Sequence, residues 1–161
     1  MILIALGANL PSPAGPPAAT LKSALVRLEE RGIKILSVSS FYESPAWPDP
    51  GQPCFTNAVA VVETALQPVE LLTLLHGVET DFGRLRSAPN AARTLDIDLL
   101  DYAGRVMEKG ATLPHPRMHQ RSFVLVPLAE VAPGWRHPLN GRSAAELLSG
   151  LTDRDAPKKL A

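Results

Sequence analysis

Two aspartates, Asp96 and Asp98, stand two residues apart inside the apolar stretch RTLDIDLL, residues 93–100. In an extended strand residues i and i+2 share a face, so both carboxylates project together while Leu95, Ile97 and Leu99 project the other way. At roughly 5 Å apart they repel by about 3 kcal/mol at an effective dielectric of about 20, a cost relieved by solvation, protonation or cations. Oxygen donors with no Cys or His between them suit a hard cation, above all Mg²⁺, which takes one or two carboxylates and fills its shell with water and phosphate oxygens. On spacing alone, idle acids on a water-facing strand are the simpler account. The neighbourhood points to phosphate chemistry instead. Arg84, Arg86 and Arg93 flank the SAPNAA break, and His115, Arg117 and Arg121 follow the strand, the cations that a magnesium–triphosphate site needs. No G-x-x-x-x-G-K-[ST] occurs, so a P-loop is excluded.

The elements that must hold these residues follow from periodicity. MILIAL (1–6) reads as a buried strand. ATLKSALVRLEERG carries Leu21, Ala24, Leu25 and Leu28 at helical spacing, with Thr20 as a candidate N-cap and Gly32 closing it. Residues 33–44 read as a second strand and 54–64 as a third, its hairpin partner. Between them PAWPDPGQP is a proline-heavy candidate functional loop. A second helix over 68–86 starts on Pro68 and carries Leu71, Leu72, Leu75, Val78 and Phe82 on one face. RTLDIDLLDYAG is a fourth strand, RSFVLVPLAEVAPG a short helix or turn, and SAAELLSGL a small last helix. The order β-α-β-β-α-β predicts an α+β, ferredoxin-like fold: an antiparallel sheet with helices on one face, in a single domain over 1–161. The tail from about residue 152 is a candidate for disorder. Alternation puts Arg93 opposite Asp96 and Asp98, so its joining them requires an irregular strand start.

Bulk properties bound the function. The 161 residues, 45% hydrophobic, suffice for one core, and the sixteen prolines signal stiffened loops. Sixteen basic and sixteen acidic residues cancel, which argues against a nucleic-acid partner and makes any anion site local. One cysteine, Cys54, allows no internal disulfide. With no signal-peptide pattern at MILIALGANL and no membrane-length apolar run, a cytoplasmic, non-membrane protein is expected.

RTLDIDLL, preceded by FGRLR and followed by TLPHPRMHQRSFVLVPL, resembles the signature region of the 6-hydroxymethyl-7,8-dihydropterin pyrophosphokinases. IALGANL, SSFYESPAW and FTNAVAVVET sit in order at the family's spacings, so the likeness spans nearly the whole chain. The resemblance implies transfer of the β,γ-diphosphate of ATP to the pterin hydroxymethyl group, releasing AMP, a step of folate biosynthesis. It implies two Mg²⁺ ions held by Asp96 and Asp98, with Asp98 also assisting the attacking hydroxyl. Arg84 and Arg93 are its catalytic cations. It assigns nucleotide contacts to Glu79, Arg84, Arg86, Arg93, Leu99, Thr112, His115 and Arg121. Its pterin site comprises Ser44, Pro45, Trp47, Phe55, Asn57, Asp96 and Phe123, with Phe55 and Phe123 stacking on the ring and Asn57 reading its edge. The chain departs from the family's commonest form in a shorter loop before Arg93, in Gly110 where many relatives carry arginine, and in Pro116 where tyrosine is frequent.

Two rivals share this fold order. An RNA-binding module is disfavoured by 5% aromatic content, zero net charge and acids on the sheet. A non-catalytic pterin- or nucleotide-binding domain is disfavoured by retention of both aspartates. By resemblance the chain is expected to be a monomer.

Overall fold

Residues 1–46, 49–84, 93–152 and 156–160 are described by a computed structural model. The apolar opening forms β1 (Ile2–Ala8), which lies between β4 (Phe55–Glu63) and β5 (Asp96–Tyr102) and pairs antiparallel with both. Both central strands are buried almost throughout, and for that reason they read as continuous apolar runs. β2 (Lys34–Val38) and β3 (Tyr42–Ser44) both pair with β4, on either side of a break, and β6 (Lys158–Lys159) adds to β3. The sheet runs β5-β1-β4-β3-β6 with β2 also on β4. With α1 (Pro17–Glu30) and α2 (Pro68–Asp81) as crossovers, this is the ferredoxin-like arrangement.

Five details differ from the sequence expectation. α2 ends at Asp81, with Phe82 as its C-cap, short of residue 86. The second strand is broken at Ser39, whose N–H donates to Val59 O (2.9 Å) while its Oγ accepts from Val59 N (3.0 Å). A side-chain hydroxyl thus stands in for the backbone where β2 gives way to β3. Thr20 is not a cap: Pro17 at N1 starts α1 earlier, and the buried Thr20 hydroxyl bonds Ser12 Oγ (2.6 Å) and Pro16 O (3.3 Å) instead. The helices are not confined to one face. α1 and α2 cover Ile4, Leu6, Ala58, Ala60, Ile97 and Leu99, whereas α3 (Ser122–Val131) and α4 (Ala144–Ser149) pack on Leu3, Val59, Val61 and Leu100 across the sheet. The tail returns at 156–160, where Leu160 N donates to Phe41 O at 2.8 Å.

The strand of the acid pair has two irregularities. It begins only at Asp96, so Arg93 lies before the ladder. There Arg93 O accepts from Asn9 N (3.1 Å) and Leu10 N (3.2 Å), and Arg93 N donates to Asn9 Oδ1 (2.8 Å). Further along, the pairing with β1 shifts between Leu3 and Ile4, leaving Leu100 as an extra residue. Leu100 and Asp101 then both face α3 and α4, where Asp101 Oδ2 accepts from Trp135 Nε1 at 2.7 Å.

Candidate active site

α3 and α4 cover only part of their face of the sheet. Next to them the same face carries Ala5 and Gly7 of β1, Phe55 and Asn57 of β4, and Asp96 and Asp98 of β5. These form the floor of a cavity of about 730 Å³. Strand register places them side by side, with Gly7 opposite both Asn57 and Asp96, and Ala5 opposite Asp98. Phe123 in the first turn of α3, and Ser44 and Pro45 at the end of β3, form walls. Asn57 Nδ2 donates to Ser44 Oγ at 2.9 Å. Gly7 is required by close approach: a Cβ there would lie 2.8 Å from Asn57 Oδ1.

A second cavity of about 230 Å³ lies on the other side of the acid pair, lined by Glu79, Arg84, His115 and polar neighbours. It shares Arg93, Asp96, Asp98 and Arg121 with the first. The two cavities therefore meet at the carboxylates.

The aspartates are not equivalent. Arg93 Nη1 lies 2.9 Å from Asp96 Oδ2, and Arg84 Nη1 donates to Asp96 Oδ1 and, at 2.8 Å, to Glu79 Oε2. Burial works against the charge on Asp96, but Arg93 and Arg84 outweigh it and hold the carboxyl below its ordinary range. Asp98 has no such clamp among the described residues. Arg121 Nη1 and the imidazole Nε2 of His115 are both 3.9 Å from Oδ2, beyond hydrogen-bond distance. Burial first, and then the charge of Asp96, push Asp98 up to about 6, while its side chain stays 31% exposed to the cavities.

Glu79 is 1% exposed and sits on the apolar stripe of α2, one turn beyond Leu75. Its Oε2 accepts from Ile97 N (2.8 Å) as well as from Arg84, tying α2 to β5. Burial pushes it up to about 7. Burial, then the nearby Arg121, lower His115 to about 4, so its imidazole is neutral near pH 7. His115 Nδ1 accepts from Arg117 N (3.2 Å), an arrangement that leaves the proton on Nε2, facing Asp98. The Arg121 guanidinium lies 5.5 Å from the centre of the Phe123 ring.

The chain matches the 7,8-dihydro-6-hydroxymethylpterin-pyrophosphokinase (HPPK) family over residues 3–133. It belongs to that family. Curated relatives named 2-amino-4-hydroxy-6-hydroxymethyldihydropteridine pyrophosphokinase include one from Synechocystis sp., 40% identical over 148 residues (91% of this chain, 73% of the relative). Another, from Haemophilus influenzae, is 39% identical over 151 residues, 93% of this chain and 92% of the relative. The crystal structure of Plasmodium falciparum HPPK-DHPS superposes with a TM-score of 0.69 at 14% identity, covering 92% of this chain and 44% of that one. That likeness speaks to the fold alone, and the chain spans under half the length of that protein.

Most residues that the HPPK resemblance singles out converge on the two cavities: Ser44, Pro45, Phe55, Asn57 and Phe123 on the larger, Glu79, Arg84 and His115 on the smaller, and Arg93, Asp96, Asp98 and Arg121 on both. Two lie apart. The Leu99 side chain is buried against the α1/α2 core, which leaves only its backbone for a ligand. Thr112 is exposed and lines neither cavity. Trp47 and Arg86 fall outside the described residues. Two contributors were not singled out from the sequence. Gly7 is legible only once its neighbour Asn57 is known. Asn9 is buried, holds Arg93 by two backbone contacts, and donates from Nδ2 to Pro53 O at 3.2 Å. Its one signal was a polar residue within the apolar IALGANL.

Among the described residues no three His, Cys, Asp or Glu side chains gather into a metal cluster. The donor set nonetheless fits Mg²⁺, for which two carboxylates suffice when phosphate oxygens and water complete the shell. No described helix is long and apolar enough to cross a membrane.

Proposed function

We propose that the chain transfers the β,γ-diphosphate of ATP, as a unit, to the hydroxymethyl group of 6-hydroxymethyl-7,8-dihydropterin, releasing AMP in folate biosynthesis. The observation that carries this reading is the meeting of two unlike cavities at one acid pair. The larger offers aromatic walls and an amide, which suit a flat ring rich in donors and acceptors. The smaller is mostly polar and brings Arg84, Arg93 and Arg121 up to the acid pair, which suits a magnesium-bound triphosphate. A hydroxyl from one side and a phosphorus from the other would meet at Asp96 and Asp98.

In this reading Phe55 and Phe123 stack on the pterin, Asn57 reads its edge, and Ser44, Pro45 and Trp47 bound the rest. Arg84, Arg93 and Arg121 neutralise the triphosphate, with Arg86, Thr112 and the Leu99 backbone as further nucleotide contacts. Neutral His115 offers an Nε2–H to phosphate without adding charge. Glu79 orients Arg84. Asp96 and Asp98 would hold two Mg²⁺ ions, which when bound would supply charge neutralisation at the phosphates. Asp98, less tightly paired than Asp96, is the better placed to take the hydroxyl proton at Oδ2. The chain acts as a cytoplasmic monomer.

A coupled assay with the pterin, ATP and Mg²⁺ tests the reading, with AMP and the pterin diphosphate as the expected products. ADP would indicate single-phosphoryl transfer and refute it. No nucleotide turnover would favour a binding domain of the same fold.

A further inference from the structure

Two walls of the larger cavity come from elements far apart in the chain: Ser44 at the end of β3 and Phe123 at the start of α3. Neither element is long. β3 has three residues. Among the described residues the N-cap of α3, Arg121, makes no side-chain capping bond, and Pro127 inside the helix lacks the N–H that would bond the Phe123 carbonyl. Their relative position must therefore be set by tertiary contacts.

Both elements rest on β4, and one carboxylate links them directly. Glu130, in the last turn of α3, accepts from Tyr42 OH at Oε1 (2.6 Å) and from Ser40 N at Oε2 (2.5 Å). A charge-assisted bond of this kind is short and stronger than a neutral one. Tyr42 is only 8% exposed and lies two residues before Ser44, on the same side of β3. Ser44 in turn holds Asn57. β6 braces the outer side of β3, with Lys159 Nζ 3.8 Å from Glu130 Oε1. Glu130 does not line the cavity, so its influence on a ligand runs through the walls. Burial and the Glu130 carboxylate push the Tyr42 phenol up to about 12. Burial opposes the Glu130 charge, but Tyr42 and Ser40 prevail and hold that carboxyl below its usual range, so donor and acceptor keep their states around neutrality.

We propose that Glu130 and Tyr42 are positioning residues for pterin binding: their clasp fixes the separation between the Phe123 wall and the Ser44–Asn57 wall. This rests on the reading that the larger cavity takes the pterin. The nucleotide side is held independently by Glu79, Arg84 and Asn9, so the clasp bears on one substrate and not the other.

The test is steady-state kinetics of Glu130→Gln and Tyr42→Phe, with thermal melting, and with Arg31→Ala as comparator. Arg31 bonds Asp81 at 2.5 Å and ties α1 to α2, away from either cavity. Both clasp variants should raise KM for the pterin about tenfold, with kcat and KM for ATP within about twofold, the loss expected when one net hydrogen bond no longer holds the site in shape. Calorimetric titration of the pterin, in the presence of Mg²⁺ and a non-hydrolysable ATP analogue, should weaken by the same factor. Arg31→Ala should lower the melting temperature and move neither KM. Turnover by the wild type with an unchanged pterin KM in both variants overturns the clasp, as does a fall in kcat at constant KM, which marks partial unfolding. A wild type that binds the pterin but releases no AMP refutes the transfer reaction, and the titration then decides the clasp: equal affinities overturn it.

Discussion

The two faces of the sheet are made by the same strands and have opposite fates. Toward α1 and α2, Ile4, Leu6, Ala58, Ala60, Ile97 and Leu99 are closed into the main core. Toward α3 and α4, Leu3, Val59, Val61 and Leu100 are covered, while Gly7, Asn57, Asp96 and Asp98, farther along the same strands, line cavities. β5 makes the contrast within three residues: Ile97 is buried between two aspartates. What distinguishes core from site is the reach of the covering helices. Where they stop, strand alternation delivers polar groups on a rigid floor, a more exact mounting than a loop provides.

The comparison can be broken hardest at Asp98. Asp98→Ala should cost turnover about a thousandfold or more, since the charge stabilisation it supports is worth several kcal/mol. The melting temperature should not fall, because a half-buried like-charge neighbour of Asp96 has been removed. A variant that unfolds, or that keeps near wild-type AMP release, would contradict this account. On the opposite face Leu75→Ala should do the reverse, costing about 2–5 kcal/mol in denaturant unfolding with turnover per folded molecule unchanged. Gly7→Ala sharpens the boundary between floor and ligand. Its Cβ would displace the Asn57 amide from 2.8 Å away, so pterin affinity should fall about tenfold with nucleotide affinity unaltered, as calorimetry would report.

The smallest effect concerns the covered half of the second face. His137 is buried there, its Nε2 has no hydrogen-bond partner among the described residues, and burial first and then His119 hold its pKa below the ordinary 6.5. The unfolded chain therefore binds more protons below that value, and stability should fall as pH drops below about 6.5. His137→Gln should lose less over that interval in parallel urea titrations. Identical pH dependence in the two proteins would assign the acid sensitivity elsewhere.

Much of this was legible in the chain. The spacing of Leu21, Ala24 and Leu28, and of Leu71, Leu75 and Val78, announced α1 and α2, and Asp96-Ile97-Asp98 announced a strand with two unlike faces. The motifs around that strand pointed to HPPK before any geometry was known. The break at Ser39 was not legible, because one hydroxyl keeps the ladder while the apolar pattern runs on. The bulge at Leu100 was missed because DIDLLDY alternates acceptably in either register. The irregular start that Arg93 required was legible, and it takes the form of a ladder that begins only at Asp96.

By itself the sequence determined which residues share a face, because period 2 and period 3.6 are set by local backbone geometry. It also determined that two carboxylates must lie side by side among cations. Only the tertiary structure decided that Asp96 is clamped while Asp98 is left to the cavities, that Gly7 must be bare, and that Glu130 reaches Tyr42. Each of these depends on atoms brought together from distant parts of the chain, and no local pattern encodes where one element ends against another.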